Sequence, residues 1–385
     1  MRYFLLRMKR FCGFATGFVF FISGILKLMD PVGASLVMKE YFSFFRVGFM
    51  DPTAMTFGVM FAFAEALVGT GLITGVWRRL VAPIAVGLQC FFTFITLLLV
   101  IFNPEMDCGC FGEAIHMTHG ETFAKNLVLL ALLLIYYIPS RHLGETRKKK
   151  YVSFGIVTIS VAAFTAYSLM YLPLNDYTDY HVGASLKGDT TTEEVYQAVF
   201  TYEKDGVQER FSIDNLPDST WTFVSTETVR TGGQPEGAVS LSFYDQEGHY
   251  ADSLALEGKE IIISVYDTDI KEKDLEKIYD FMRETGKDGF RTILLSSSEL
   301  DTPDDIRRYT ADYKTLVTLN RSNGGATYIN DGLIIRKWSK KSLPDHEELA
   351  KISQEDVTEA IIGNSRSSLA FQGFLLYVFA VMLLL

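Results

Sequence analysis

Residues 80–102 read LVAPIAVGLQCFFTFITLLLVIF, an apolar run of 23 residues without a charged side chain. A helix needs roughly 20 mostly apolar residues to cross a bilayer, so this run predicts a transmembrane helix. Five further apolar stretches predict a multi-pass α-helical membrane bundle, and they cover residues 11–29, 54–76, 122–139, 151–172 and 369–385. The last of them is the shortest, and we expect it to add a sixth span to five longer ones.

Charge divides the chain of 385 residues into two unlike halves. Residues 1–172 carry 15 basic and 9 acidic side chains, a net charge of +6. Residues 173–385 carry 21 and 37, a net charge of −16. The apolar spans make a lipid bilayer the expected partner. A nucleic acid is not expected, because no basic stripe lies outside the membrane flanks. All four cysteines precede residue 111, which excludes a disulfide-stapled soluble scaffold.

The basic residues also predict how the spans are oriented. They cluster before the first span and in two of the loops between spans, at residues 2–10, 78–79 and 141–150. These segments fall on one side if every helix crosses, and the positive-inside rule makes that side cytoplasmic. The sequence therefore predicts a cytoplasmic (inner) membrane protein with a cytoplasmic N-terminus. The segments expected on the extracytoplasmic, or periplasmic, side are 30–53, 103–121 and 173–368.

The extracytoplasmic part alternates short strands with amphipathic helices. Expected strands are 260–266 (EIIISVY), 291–295 and 315–319, and expected helices are 271–285, a stretch opened by Pro303, and 344–352. Asp331-Gly332 supplies the turn of a hairpin formed by 326–329 and 333–338. This order is that of a thioredoxin-like α/β domain over 239–352.

A β-rich lead-in over 173–238 precedes that domain, with expected strands at 196–202, 207–213 and 221–224 and a glycine-rich linker at 232–237. We expect the chain to divide into five parts. Residues 1–139 form a four-helix membrane domain, and residues 140–172 form a basic loop and the fifth span. The β-rich lead-in covers 173–238, the thioredoxin-like domain covers 239–352, and a tail with the last helix covers 353–385.

The thioredoxin-like domain carries no thiol. Asp267-Thr268-Asp269-Ile270 follows its first strand, where a thioredoxin places Cys-x-x-Cys, and Gly324-Gly325-Ala326 replaces the expected cis-proline segment. The domain cannot exchange disulfides by itself, and a binding or docking role is expected instead.

Asp107-Cys108-Gly109-Cys110-Phe111-Gly112, in the loop after the third span, is open to three interpretations. A Cys-x-Cys disulfide closes a small strained ring, which favours a labile redox pair, and Gly109 provides the backbone freedom for it. Cys108, Cys110, His116 and His119 could instead be metal ligands, but their spacing matches no common zinc module, so no metal is expected. Packed thiols or a structural crosslink is the third interpretation.

Ionisable and polar residues within the spans are further candidates. Lys125 sits about four residues into the fourth span, close enough to the loop to lower a thiol pKa, unless it is only an interfacial anchor. Glu65 lies near mid-membrane, where a charge needs a partner such as Lys27. It is expected to relay protons, to serve a quinone site or to lock the bundle. Gln89 and Asn126 are weaker candidates for binding a cofactor.

These residues resemble the DoxX family, specifically its MauE-like (methylamine utilisation) branch. The matching strings include Phe20-Phe21-Ile22-Ser23-Gly24, Asp30-Pro31, Glu65 with its following glycines, the Cys-Gly-Cys-Phe-Gly string and Phe123-Ala124-Lys125-Asn126. The resemblance implies a role in maturing disulfide-rich envelope proteins, and DoxX relatives imply thiol-oxidative, quinone-coupled complexes. The four-helix unit is also similar to vitamin K epoxide reductase type membrane proteins.

Together these observations favour thiol–disulfide redox chemistry at Cys108 and Cys110, with Lys125 tuning the thiolate. Glu65 is expected to handle protons or a quinone inside the bundle, and a quinone is the candidate cofactor. A client or thioredoxin-like redox protein outside the membrane is the expected partner. The alternative is a non-enzymatic membrane scaffold that binds its partner through the degenerate thioredoxin-like domain.

Overall fold

Two folded units make up the computed structural model, one of apolar helices and one built on a five-stranded sheet. The described residues are 2–138, 146–187, 196–204, 207–212, 221–230, 239–267, 270–355, 360–361 and 365–384. The predicted linker 232–237 and the pair Thr268-Asp269 lie outside them.

Within the described residues, the first unit contains five helices that are long and apolar enough to cross a membrane. They are α1 (Arg2–Met29), α3 (Ala54–Thr74), α4 (Arg78–Phe102), α5 (His119–Tyr137) and α6 (Lys148–Ser168). A shorter helix, α2 (Pro31–Phe44), follows α1, and a short strand, β1 (Cys110–Glu113), lies between α4 and α5. The prediction of a multi-pass helical membrane bundle is confirmed.

Helix α1 packs on α3 almost at backbone contact. A Cβ atom on Gly24 would come within 2.6 Å of the carbonyl oxygen of Ala62 and the amide nitrogen of Ala66. Only glycine allows this approach, as in other close helix pairs of membrane proteins. Because the axes are so close, Ser23 and Lys27 on α1 reach Glu65 on α3 directly.

Helix α2 occupies the segment that the sequence analysis treated only as a loop. The Asp30 carboxylate caps it by accepting a hydrogen bond of 2.9 Å from the Gly33 amide, and Pro31 stands in its first turn. An aspartate followed by proline is a typical helix start, so the signal was present in the sequence.

A three-stranded antiparallel sheet follows the membrane unit. It has the order β3-β2-β4 and consists of β2 (Tyr196–Lys204), β3 (Val207–Ser212) and β4 (Thr222–Arg230). The third strand is longer than the predicted 221–224.

The second unit is a mixed α/β domain of thioredoxin-like type. Its sheet has the order β7-β6-β5-β8-β9, with β5, β6 and β7 parallel and β8 and β9 antiparallel. The elements are β5 (Lys259–Val265), α7 (Glu272–Lys287), β6 (Arg291–Ser296), β7 (Arg308–Thr310), α8 (Tyr313–Leu319), β8 (Gly325–Asn330), β9 (Leu333–Trp338) and α9 (His346–Gln354). Apolar cores cover both faces, with Ile262 and Leu295 on one and Ile263 and Leu294 on the other.

Two predicted elements of this domain were wrong in type. Residues 308–310 form an edge strand paired with β6 and with Tyr244, rather than part of a helix opened by Pro303. Residues 315–319 belong to helix α8 rather than to a strand. The Asp312 carboxylate accepts hydrogen bonds from the amides of Lys314 and Thr315, and this cap starts the helix despite the β-branched residues.

The last helix, α10 (Ser365–Leu384), returns to the membrane unit and runs antiparallel to α6. The Ser153 hydroxyl donates to the Val381 carbonyl oxygen, and near the other end Phe164 stacks on Phe371. Its apolar part, Leu369–Leu384, is shorter than the five long helices.

Glu260 is a buried carboxyl group at the start of β5. Its side chain is 1% exposed, and neither carboxyl oxygen has a hydrogen-bond partner in the part of the chain that the structure describes. Burial raises the pKa of Glu260 to about 7, although the nearby Arg291 guanidinium opposes the shift. A raised carboxyl pKa contributes stability that is complete below the unfolded value, about 4.3, and is lost as the pH rises through 7.

Glu260→Gln should therefore stabilise the domain at pH 8 by about 2 kcal/mol and have little effect near pH 4.5. Hydrogen exchange of the β5 amides in the full-length protein, corrected for intrinsic rates, measures both values. Glu257→Gln, at an exposed neighbouring position, is the matched control. A Glu260→Gln protein that is no more protected than the wild type at pH 8 would contradict the assignment.

Candidate functional site

A cavity of about 290 Å³ lies in the membrane unit and is bounded by α1 to α5 and by residues 108–110. Eight aromatic side chains contribute to its wall, namely Phe20, Tyr41, Phe42, Phe45, Phe57, Phe61, Phe91 and Phe92. The structure places all six candidate residues from the sequence on this wall, namely Glu65, Gln89, Cys108, Cys110, Lys125 and Asn126. An apolar chamber with a small number of converging polar groups is the usual form of a small-molecule site.

Hydrogen bonds hold the Cys108-Gly109-Cys110 segment against two helices. The Ser23 hydroxyl on α1 lies 2.6 Å from the carbonyl oxygen of Cys110, and the Tyr41 hydroxyl on α2 donates to that of Cys108 at 2.9 Å. Gly109 has a φ of +59°, and a Cβ atom there would collide with Val37. The turn between the cysteines therefore needs glycine both for its backbone conformation and for space.

The two thiols are both free but differ in exposure and in neighbours. Cys108 is buried, whereas Cys110 is half-buried. Burial raises the pKa of Cys108, and the Thr122 hydroxyl and the Lys125 charge partly oppose this rise. A small cleft lies on the other side of the segment and is lined in part by Asp107, Ile115 and His116. Cys108 and Cys110 line both the cleft and the cavity.

His119 forms a pair with Cys108. Its Nδ1 atom lies 3.0 Å from the Cys108 Sγ atom, and its Nε2 atom lies 3.0 Å from the Pro104 carbonyl oxygen. A carbonyl only accepts hydrogen bonds, so Nε2 carries the hydrogen and Nδ1 faces the sulfur. In this arrangement the imidazole can take the thiol proton and stabilise the resulting thiolate.

The sequence analysis considered His119 only as a metal ligand. The signal for its position was the capping box Thr118-x-x-Glu121, in which the Thr118 hydroxyl and the Glu121 carboxylate each bind the other's backbone amide. This box makes His119 the first residue of α5 and turns its ring back towards the loop. His116 lies elsewhere and approaches Asp107 at 3.5 Å.

Lys27 and Glu65 form a buried ion pair on the cavity wall. The Lys27 Nζ atom lies 2.7 and 2.9 Å from the two Glu65 oxygens. The Ser23 hydroxyl lies 2.7 Å from Glu65 Oε2, so its single hydrogen links either this carboxylate or the Cys110 carbonyl. A continuous polar chain thus joins the mid-membrane carboxylate to the cysteine segment.

Lys125 and the two amides occupy the opposite wall. The Lys125 Nζ atom lies 4.5 Å from the centre of the Phe111 ring, a cation–π distance. The Gln89 amide donates to the Asn126 backbone carbonyl at 3.0 Å, and the Asn126 amide donates to the Thr96 hydroxyl at 3.2 Å. These bonds tie α4 to α5 and fix the shape of the cavity.

In the thioredoxin-like domain, hydrogen bonds from one side chain fix the backbone at the position where a thioredoxin carries its thiols. The Asn323 side chain accepts hydrogen bonds from the amides of Tyr266 and Asp267 and donates to the Asp267 carbonyl oxygen. Among the residues that the structure describes, the three that form a ligand-like group are Asp245, Glu247 and His249, which lie in a surface turn away from the cavity.

Two segments of the chain match known protein families. Residues 2–139 match the family described as methylamine utilisation protein MauE, and residues 196–230, the three-stranded sheet, match a domain of unknown function, DUF8463. Protein TlpB of Flavobacterium psychrophilum is 25% identical over 206 residues, which is 52% of this chain and 54% of that protein. The chain thus spans about half the length of this relative. No solved structure matches.

The MauE match covers α1 to α5, together with the cysteine segment, His119 and the helices that line the cavity. The resemblance to MauE that the Cys-Gly-Cys-Phe-Gly string indicated is therefore confirmed. Residues 2–139 of this multi-pass membrane protein are a MauE family domain.

Proposed function

We propose that this protein oxidises the thiols of extracytoplasmic client proteins through Cys108 and Cys110 and passes the electrons to a lipid-soluble quinone. The observation that carries the proposal is the cavity itself, because one aromatic chamber contacts the cysteine segment, the Lys27–Glu65 pair and Lys125. The family match supports only a general link to methylamine utilisation proteins.

The first half-reaction starts from the disulfide form. A client thiolate attacks the more accessible Cys110 sulfur, the Cys108–Cys110 bond breaks, and Cys108 leaves as a thiolate next to His119. The second client thiolate then attacks the client sulfur of the mixed disulfide, and Cys110 is released. The client gains a disulfide, and the protein gains two electrons and two protons as a dithiol.

The second half-reaction restores the disulfide. His119 takes the proton of Cys108, since its Nδ1 atom faces the sulfur, and the Lys125 charge favours the thiolate. A bound quinone would accept the two electrons and two protons and leave as the hydroquinone. Lys27, Glu65 and Ser23 would orient its oxygens at the polar end of the cavity.

The cavity suits a ligand that arrives from the bilayer. Phe61 and Phe91 stack on its wall with ring centres 6.1 Å apart, and Phe91 and Phe45 are more than two-fifths exposed on the outside of the unit. Rings on a lipid-facing wall provide an apolar route of entry between α3 and α4.

We also propose that the unit lies in the cytoplasmic membrane with its N-terminus inside. The basic segments at 2–10, 78–79 and 141–150 support this orientation. The cysteine segment and residues 173–368 are then periplasmic, where an oxidising environment allows disulfide chemistry.

Replacing either Cys108 or Cys110 by serine should abolish oxidation of reduced client protein and reduction of a soluble quinone analogue by the protein in lipid nanodiscs. Cys12→Ser and Cys90→Ser, at positions outside the cavity wall, should keep full activity. Alkylation trapping in intact cells should find the wild-type pair in both redox states. Normal client assembly in the absence of both loop cysteines would favour the scaffold alternative.

His119→Asn should slow alkylation of the Cys108 thiol at pH 7 by about tenfold or more, because the thiolate loses its proton acceptor. The rate should recover at strongly alkaline pH, where the thiol ionises unaided. A Cys110→Ser background isolates the Cys108 thiol, and His116→Asn is the matched control. Parallel pH profiles for both histidine variants would exclude the assigned role.

Alkaline phosphatase fused after residue 187 should be active, and the same enzyme fused after residue 147 should be inactive. The enzyme folds only after export, so the pattern reports which side of the membrane each position occupies. The reverse pattern would overturn the orientation.

A further inference from the structure

Arg321 belongs to the thioredoxin-like domain but forms ion pairs with the membrane unit. Its side chain is 4% exposed. The Nε atom donates to Asp30 Oδ2 at 2.9 Å, and the Nη2 atom donates to Glu113 Oε1 at 3.1 Å. A guanidinium can serve two carboxylates at once because its donors diverge in one plane.

Contacts within the thioredoxin-like domain hold the Arg321 side chain in position. Arg321 follows the C-terminal end of α8, and its Nη1 atom donates to the Val317 carbonyl oxygen in the last turn of that helix. The neighbouring Asn320 is fully buried, and its amide binds the Ala326 carbonyl oxygen on β8. Burial opposes the charge of Arg321, but Asp30 and Glu113 more than offset this, so its pKa is raised.

Both carboxylates belong to the frame around the cysteines. Glu113 ends strand β1, which begins at Cys110, so it lies about 10 Å along the strand from that cysteine. Asp30 ends α1 and caps α2, and α2 carries Tyr41, which binds the Cys108 carbonyl oxygen. Through Glu113, Arg321 therefore contacts the strand that begins at Cys110. Through Asp30, it contacts the helix that binds the Cys108 carbonyl oxygen.

A further ion pair between the units, seen among the described residues, has a different position. Lys314 Nζ lies 3.1 Å from Glu40 Oε1, and the Lys314 side chain is largely exposed. Among the described residues, Lys314 forms no ion pair with Glu113 or Asp30. An exposed pair contributes little to stability, whereas a buried pair with fixed geometry is sensitive to the loss of either partner.

We propose that Arg321 is a positioning residue for the redox pair. The thioredoxin-like domain has no thiol of its own, and it acts on thiol chemistry by holding the Cys108–Cys110 segment at the mouth of the cavity. This inference rests on the proposed function, since it assigns a regulator to the same site. A client that displaces the domain would release Glu113 and alter the reactivity of both thiols.

The test uses the full-length protein in lipid nanodiscs and two readouts that require no turnover. One is the equilibrium constant between the Cys108–Cys110 pair and a glutathione buffer, and the other is the alkylation rate of Cys110 in the reduced protein. Arg321→Gln should change each by about tenfold, the effect of losing a charged hydrogen bond. Lys314→Gln should change neither by more than about twofold.

Glu113→Gln removes the Arg321–Glu113 ion pair from the membrane side and leaves the Asp30 pair in place, so it tests the inference if Arg321→Gln does not fold. The double variant should match Arg321→Gln, because that single variant has already lost the pair with Glu113. Arg321→Lys should restore the readouts only in part.

A lower melting temperature with unchanged glutathione equilibrium and alkylation rate would make Arg321 a purely structural contact and overturn the inference. That result would leave the proposed function intact. Conversely, active Cys108→Ser and Cys110→Ser proteins would refute the proposed function, whatever the values for Arg321→Gln.

Discussion

The ion pair between Lys27 and Glu65 determines how the parts of the membrane unit meet. A carboxylate at that depth is costly unless a cation lies within contact distance, and the cation comes from the neighbouring helix. The 2.7 Å contact between Lys27 and Glu65 requires α1 and α3 to approach as closely as Gly24 allows, and in one register. The same register carries Ser23 to Glu65 and to the Cys110 carbonyl oxygen. Ser23 and Lys27 are about one helical turn apart on α1. The ion pair that neutralises Glu65 therefore also determines where Ser23 binds the cysteine segment.

The cysteines and the thioredoxin-like architecture are separated in this chain. The domain with the thioredoxin-like sheet has Asn323 locking the position where thiols would be expected, and the cysteines lie on the membrane unit instead. The two units nevertheless meet through buried charge, with Arg321 between Asp30 and Glu113. A second buried pair, Lys337 with Asp176 at 2.6 Å, connects the same domain to the segment that leaves α6. Polar contacts of this kind specify one docked arrangement more strongly than an apolar face would.

Much of this arrangement was predictable from the sequence, because hydropathy and charge are local properties. The membrane spans and the thioredoxin-like core needed only apolar runs and their periods. The six candidate residues were chosen one by one for their chemistry, and the fold places them around one cavity. The Cys108–His119 contact was missed because it depends on how a capping box orients a ring. Helix α8 was mistaken for a strand because its threonines and valine outweighed the Asp312 cap. Nothing in the sequence around Arg321 indicated its ion pairs with the membrane unit.

Helix α10 lies beside α6, and the whole thioredoxin-like domain is contained in the chain between these two helices. The domain is therefore tethered to the membrane unit at both ends, with its two attachment points adjacent. Such a closed loop keeps Arg321 at a high effective concentration near its carboxylates, so that a broken contact reforms quickly. A domain held by one flexible strand of chain would lose far more freedom on docking. The second anchor lets a few charged contacts of modest strength maintain the docked state.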